Sequence, residues 1–221
     1  MSNNEGTVTG KLSDKMRYVL TLALGMLVLF WRVLLPTNVE LTVGIGILML
    51  ALDLVLAAAV VFLNKKELKE ALTKKITWKF FLKAILVFII GLVMAIVVAQ
   101  VIVSMGMEFS DPTRLVAAEI SNAFPLGAII SMLIITPVWE EIAFRMAGKK
   151  LIKNGVLFVV ITSLLFAFIH TVNFSIIDNL DYLIYGIVMS VAYLIVKDVR
   201  IVIVAHFLNN LLGVLPMILA G

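Results

Sequence analysis

Three short patterns place ionisable and amide side chains inside long apolar stretches of the chain. In sequence order they are Glu140-Glu141-x-x-x-Arg145, Phe166-x-x-x-His170 and His206-x-x-x-Asn210. Both histidines of the chain fall in these patterns. A charged side chain inside a membrane-spanning helix costs about 3 kcal/mol on insertion scales, so each one indicates a function or a partner. A carboxylate, two imidazoles and an amide are groups that can activate water for hydrolysis or bind a divalent metal.

Helical spacing separates the roles of the two neighbouring carboxylates. Residues four apart share one face of a helix, so Glu141 and Arg145 can form a salt bridge. Glu140 lies about 100° away around the same helix and has no such partner there. We therefore predict that Glu141 and Arg145 form a structural clasp and that Glu140 is available for chemistry. Pro137 is expected to kink this helix or open its backbone, which would admit water or a peptide.

Distances along the chain predict that Glu140 faces His170, and tilt of the helices is expected to bring in His206, which lies about 10 Å from its own inner turn. Glu140 lies 14 residues before the turn at Asn154, and His170 lies 16 residues after it. Both are therefore roughly 21–24 Å from the turn along antiparallel helices, at the same height. His206 and Asn210 share one helical face and present a ring nitrogen and an amide together. The predicted site lies within the membrane, nearer the cytoplasmic face.

The composition indicates what kind of protein holds these groups. Of the 221 residues, 62% are hydrophobic and 14% are charged, with a mean hydropathy of +1.14. A soluble domain is about half apolar and a quarter charged, so this chain has too little polar surface for a water-soluble globule. The absence of cysteine excludes a disulfide framework, a thiolate zinc site and a cysteine nucleophile. The sequence predicts an integral membrane protein.

The apolar stretches define the predicted fold. A helix needs roughly 20 mostly apolar residues to cross the hydrocarbon core. Such stretches lie near 17–35, 41–63, 80–104, 124–147, 156–174, 181–196 and 201–219. The predicted fold is all-α, a polytopic transmembrane helical bundle of about 6–8 spans. Residues 1–16 are predicted to be a disordered cytoplasmic lead, and residues 17–221 a single transmembrane domain.

The basic residues predict the orientation of the bundle. With a cytoplasmic N-terminus and alternating spans, nearly all lysines and arginines face inward, and the outer segments keep Arg32 and Arg114 beside several acids. This distribution follows the positive-inside rule and explains the net charge of +4 without a nucleic-acid partner. Residues 64–79 are either a short amphipathic helix on the inner surface, with its positive face toward anionic lipid, or a solvated charged loop.

The three patterns resemble the signature of the CPBP family (CAAX protease and bacteriocin-processing, also called Abi) of polytopic intramembrane endopeptidases. That signature reads EExxxR, FxxxH and HxxxN or HxxxD, and this chain has EEIAFR at 140–145, FAFIH at 166–170 and HFLNN at 206–210. The order and spacing match, and each motif lies in its own predicted span. The resemblance covers about residues 120–215, the expected catalytic core, and implies hydrolysis of a peptide bond within the bilayer.

The resemblance also implies a role for each residue. Glu140 acts as general base on a water that His170 helps to orient, while His206 and Asn210 hold the water or stabilise the oxyanion. Phe166 shapes the wall beside His170. No cofactor is favoured, and the alternative is a zinc ion held by Glu140, His170 and His206. Asparagine is an uncommon zinc ligand, and the chain has no HExxH motif, so we favour water activated by glutamate.

The expected partners are membrane lipid and a peptide or lipidated protein substrate. By analogy with the family, the substrate is a prenylated CaaX tail or the leader of a bacteriocin or signal peptide, in a bacterial cell membrane. A non-catalytic bacteriocin self-immunity factor or scaffold, binding a peptide in the same cavity, is the main alternative. A small proton-coupled transporter is another, although the chain shows no internal repeat. Asp53 lies outside the motifs and is expected to pair with a polar group of a neighbouring helix or to line a substrate path.

Overall fold

The computed structural model describes residues 12–34, 42–106, 124–170 and 179–220. Within these ranges the chain forms eight helices and no strand. The helices are α1 Asp14–Leu34, α2 Val43–Leu63, α3 Lys65–Thr73, α4 Trp78–Ser104, α5 Pro125–Leu151, α6 Gly155–Ile169, α7 Leu180–Val196 and α8 Val199–Ala220. The predicted all-α helical membrane bundle is confirmed.

Side-chain caps explain where several helices begin. The Ser13 hydroxyl accepts a hydrogen bond from the Met16 N–H at 3.2 Å, and the side chains of Thr42 and Asn154 cap α2 and α6 in the same way. Such caps satisfy N–H groups that have no partner in the first helical turn. Because Ser13 caps α1, the helix begins at Asp14, and the predicted disordered lead is wrong for its last residues. Residues 1–11 lie outside the described part of the chain.

α3 occupies the first part of the segment 64–79, which the sequence left open between an amphipathic helix and a loop. The helix is nine residues long. Its Glu67 turns toward α1 and accepts hydrogen bonds from Arg17 Nη2 at 3.1 Å and from the Tyr18 hydroxyl at 2.6 Å. Lys65 and Lys69 are exposed. α3 is therefore fixed to the beginning of α1, and its contact with anionic lipid stays a prediction.

α5 is the central helix of the bundle. It packs against α1, α2, α6 and α8, and every residue from Trp139 to Gly148 is buried. The core around it includes Trp139, Ile142, Phe144 and Phe166. The first of the three motifs consequently lies in the most enclosed part of the described chain.

The backbone of α5 departs from a regular α-helix at two places. Ser131–Ile135 and Glu141–Ala147 have π-helical hydrogen bonding, and the α-helical turn Thr136–Glu140 lies between them. Pro137 belongs to this turn, where it has no N–H to donate and its ring crowds the preceding turn. Pro137 thus lies just after the first π-helical segment, and π-helical segments occur often at functional sites.

The exposed surface of the outer helices is apolar. α2, α4 and α5 are each long and apolar enough to cross a membrane, and α6, α7 and the Val199–Leu215 part of α8 are shorter apolar helices. In the most apolar 18-residue stretch of each helix, the buried share is 17% in α2 and 22% in α4, compared with 56% in α5. Exposed apolar faces of this extent are typical of contact with lipid. The chain is an integral membrane protein, and its orientation stays a prediction.

Candidate active site

Glu140 lies between the two histidines, which reach it from different helices. Its Oε1 is 3.8 Å from Nε2 of His170 at the end of α6, and its Oε2 is 3.8 Å from Nε2 of His206 on α8. Glu140 is fully buried and His206 nearly so. Both distances are longer than a hydrogen bond, as catalytic contacts often are before a substrate binds. The structure thus brings together the three groups that the sequence selected as the reacting centre.

Hydrogen bonds at the far side of each ring fix which nitrogen faces Glu140. Nδ1 of His170 lies 2.8 Å from the carbonyl oxygen of Phe166, and Nδ1 of His206 lies 2.9 Å from Oε1 of Glu141. A carbonyl or carboxylate oxygen can only accept, so we assign the proton to Nδ1 in both rings. Nε2 is then the nitrogen that faces Glu140 in both rings.

Glu141 has two partners in the buried interior. Its Oε1 accepts from His206 and also lies 3.3 Å from Nη1 of Arg145. Arg145 donates to the carbonyl oxygen of Gly186 at 3.4 Å and lies over the ring of Phe166 at 4.4 Å. The predicted pairing of Glu141 with Arg145 is confirmed. In addition Glu141 orients His206, which helical spacing could not reveal because the two residues lie on different helices.

Asn210 uses its amide to hold the first π-helical segment of α5. Its Nδ2 donates to the carbonyl oxygen of Met132 at 2.7 Å. An amide nitrogen has two hydrogens, so this bond commits one of them. The sequence placed Asn210 at the water or the oxyanion, and the structure adds a contact with the backbone of α5.

Asp53 pairs with the same segment of α5 from the other side. Its carboxylate accepts a hydrogen bond from the Ser131 hydroxyl, and that hydroxyl is 3.4 Å from Thr136 Oγ1. Of the two interpretations of Asp53, pairing with a polar group of a neighbouring helix is therefore confirmed. This charge-assisted hydrogen bond joins α2 to the first π-helical segment of α5.

Aromatic rings enclose the two histidines. Phe166 lies 4.6 Å from the ring of His170 and 6.0 Å from that of His206, in keeping with the wall predicted for it. Two residues that sequence reasoning missed complete the enclosure. Tyr182 stacks on His170 at 4.3 Å, and Tyr185 meets the edge of His206 at 5.5 Å. Their spacing of three residues puts both on one face of α7, which is the signal that could have identified them.

The interior of this cluster is buried, and its described rim is half-buried at His170, Tyr182 and Asn210. The side chains of Glu140, Glu141 and Arg145 are fully buried, whereas that of His170 is 12% exposed. His170 ends α6, immediately before residues 171–178, which lie outside the described part of the chain. The half-buried His170 thus borders the fully buried Glu140.

The zinc alternative can be compared with this geometry. Two Nε2 atoms and a carboxylate are suitable donors for zinc, and the Nδ1 hydrogen bonds are the outer contacts that metal-binding histidines usually make. Within the described ranges, however, no three His, Cys, Asp or Glu side chains are grouped so as to hold a metal ion. The zinc alternative stays a prediction, and the chemistry is derived below from the side chains themselves.

Comparison with known proteins identifies one match. Residues 122–212 match the family model described as type II CAAX prenyl endopeptidase Rce1-like. This region contains all three motifs and confirms the resemblance to the CPBP family. It begins just before α5 and ends within α8, so α1 to α4 lie outside it. No curated protein and no solved structure matches the chain.

Proposed function

We propose that this chain, which carries a type II CAAX prenyl endopeptidase Rce1-like domain at residues 122–212, is an intramembrane endopeptidase. It hydrolyses a peptide bond of a membrane-associated peptide or protein with a water activated by Glu140. The observation that supports the proposal most strongly is the placement of one Glu140 oxygen opposite Nε2 of His170 and the other opposite Nε2 of His206. The family match independently supports a protease role of the CAAX type.

The first step is attack of water on the scissile carbonyl carbon. Glu140 takes one proton from the water as the new carbon–oxygen bond forms. The Nε2 lone pair of His170 accepts a hydrogen bond from the second hydrogen and so holds the water for attack. Because Glu140 is buried, few other waters compete for its oxygens, and electrostatic interactions in the site are stronger than in bulk water.

The negative charge that develops on the carbonyl oxygen requires donors. His206 can supply one when Nε2 is protonated, because the Glu141 carboxylate at Nδ1 stabilises the imidazolium. Asn210 supplies a second from the amide hydrogen that Met132 does not use. Donors of this kind are worth about 3–4 kcal/mol each in a water-excluded site. The carbon–nitrogen bond then breaks, and the proton held by Glu140 passes to the leaving amine.

The substrate classes follow from the family and from the surroundings of the site. A prenylated CaaX tail, or the leader of a bacteriocin or signal peptide, would approach through lipid and enter past His170. We place the N-terminus and this chemistry on the cytoplasmic side of a bacterial cell membrane, because the basic residues follow the positive-inside rule.

The test compares Glu140→Gln with the wild type in liposomes. A farnesylated CaaX peptide and a bacteriocin leader peptide serve as probes, and cleavage is followed by mass spectrometry. Glu140→Gln keeps the shape of the side chain but removes the base, so we expect cleavage to fall by about 10²- to 10⁴-fold. Glu70→Gln, the same change at an exposed residue of α3, should leave it unchanged.

Three results would contradict the proposal. Glu140→Gln with wild-type activity would remove the base from the mechanism. A wild-type chain that cleaves neither probe would exclude these substrate classes. A chain that binds a probe without cleaving it, and binds equally well after Glu140→Gln, would support the non-catalytic immunity or scaffold function instead.

A further inference from the structure

A basic cavity lies at the end of the bundle where α4 and α8 begin and α7 ends. Its volume is about 320 Å³. Five cationic side chains line it: Lys74, Lys75, Lys79, Lys83 and Arg200. None of these residues belongs to the three motifs, and the proposed proteolysis does not use them.

The positive charge of this cavity is not balanced by its own lining. Among the described lining residues the one acid is Asp198. Both of its oxygens already accept hydrogen bonds from Arg200, at 3.0 and 2.8 Å. Lys79 and Lys83 lie four residues apart on one face of α4, and like charges at that spacing destabilise a helix. An anion in the cavity would relieve this repulsion.

The frame of the cavity is held by specific contacts between distant segments. The Arg200 guanidinium lies 5.4 Å from the ring centre of Phe80 and donates to the carbonyl oxygen of Lys74 at 2.9 Å. Lys74 Nζ in turn donates to the carbonyl oxygen of Lys197 at 3.5 Å. These contacts join the segment before α4 to the α7–α8 connection, and the exposed lysines lie around this junction.

Neighbouring side chains indicate the level of the membrane surface. Trp78 begins α4 and is 70% exposed, and Ile76 and Phe81 beside it are also largely exposed. Tryptophan is enriched at the headgroup level of membranes, and apolar side chains below it contact acyl chains. The cavity therefore opens at the headgroup layer, on the side that the positive-inside rule predicts to be cytoplasmic.

We propose that this cavity binds the phosphate headgroup of an anionic phospholipid. Lys79 and Lys83, with Lys75, contact the phosphate oxygens as point charges, while the acyl chains follow the exposed apolar side chains of α4 and α7. Arg200 also connects this cavity to the candidate active site, because it lies six residues before His206 on α8. Lipid binding would anchor the helix that carries His206, and it does not depend on proteolysis.

The test measures lipid binding to the purified full chain in detergent. Short-chain phosphatidylglycerol, short-chain phosphatidylcholine and inorganic phosphate are titrated separately, and bound ligand is counted by native mass spectrometry. The double variant Lys79→Gln/Lys83→Gln should weaken phosphatidylglycerol binding about thirtyfold, from the usual contribution of a lysine near an anionic surface. The matched control Lys65→Gln/Lys69→Gln removes two exposed lysines at the same spacing on α3 and should change binding less than about twofold.

Several outcomes would overturn the proposal. Equal weakening of phosphatidylglycerol binding in both double variants would show that the lipid is attracted to any basic surface of the protein. Phosphatidylcholine carries the same phosphate but no net charge, so binding as tight as that of phosphatidylglycerol would show that the net negative charge of the headgroup is not recognised. Inorganic phosphate that binds as tightly as phosphatidylglycerol would identify a soluble anion as the ligand. Thermal unfolding of each variant shows whether it is folded, and Lys75→Gln supplies a single substitution if the double variant is not.

Discussion

Replacement of Glu141 tests whether this residue is a clasp, a positioning group or both. Its carboxylate contacts Nη1 of Arg145 at 3.3 Å and Nδ1 of His206 at 2.9 Å, and the side chains are buried. Glu141→Gln keeps the volume of the side chain and an oxygen that can accept a hydrogen bond. It removes the negative charge that both partners face.

The expected loss of stability follows from what remains in the interior. Removing one partner of a buried ion pair costs about 3–5 kcal/mol, because the other charge is left uncompensated. Arg145 would retain the carbonyl oxygen of Gly186 and the ring of Phe166, neither of which carries a countercharge. The double variant Glu141→Gln/Arg145→Met contains no buried charge at this pair and should recover most of the stability.

Activity should respond differently from stability. Without the Glu141 carboxylate, the imidazolium form of His206 loses its countercharge, and loss of the equivalent group in serine protease triads lowers kcat by about 10⁴-fold. We therefore expect Glu141→Gln to lower kcat by about 10²- to 10⁴-fold while KM changes little. The double variant should remain as inactive as the single variant.

The assay combines thermal unfolding in detergent with cleavage of the farnesylated probe in liposomes. Recovery of both stability and kcat in the double variant would refute the positioning role and leave Glu141 as a clasp. Recovery of neither would contradict the account of the buried pair. Glu141→Asp, which restores the charge on a shorter side chain, should recover part of kcat if the charge is what His206 requires.

Two further predictions concern packing and pH. Gly186→Ala would place a Cβ 3.0 Å from the backbone Cα of Ser163, so α6 and α7 must move apart, and we expect a loss of about 1–3 kcal/mol in the free energy of unfolding. The matched control is Gly213→Ala, where nothing lies within 4 Å of the added carbon. An equal loss in the control would point to backbone effects. At Glu67, burial raises the pKa, but the hydrogen bonds from Arg17 and Tyr18 and the charge of Arg17 together outweigh it, and the pKa lies below its ordinary value of 4.5. This carboxylate therefore contributes stability above its unfolded pKa, and the contribution is lost as the pH falls through the lower folded value. Unfolding curves between about pH 6 and pH 3 should show this loss in the wild type and not in Glu67→Gln, and parallel curves would exclude the contribution.

The sequence predicted the helices well because each depends on local information. Apolar stretches of spanning length give α2, α4 and α5 with bounds within a few residues of those observed. The beginning of α1 was misplaced by three residues, because a capping hydroxyl at Ser13 outweighs the polar composition of the residues that follow it. The irregular form of α5 was foreseen at Pro137, but its two π-helical segments were not. The first of them receives contacts from other helices, those of Asp53 and Asn210, which spacing along α5 does not reveal.

The sequence by itself determined the membrane class, the helical architecture and the side chains that can do chemistry. Composition and spacing are properties of the chain alone. Because a charge in lipid is costly, the few ionisable residues within apolar stretches are identified as candidates for a function. The tertiary structure alone decided which atoms of those side chains face one another. It directs Nδ1 of His206 to Glu141, so that Nε2 faces Glu140, and it places Tyr182 against His170. Hydrogen bonds and ring contacts between helices depend, to within about an ångström, on how each helix is rotated about its axis and how deep it lies in the bundle. The spacing of residues along one helix determines neither quantity.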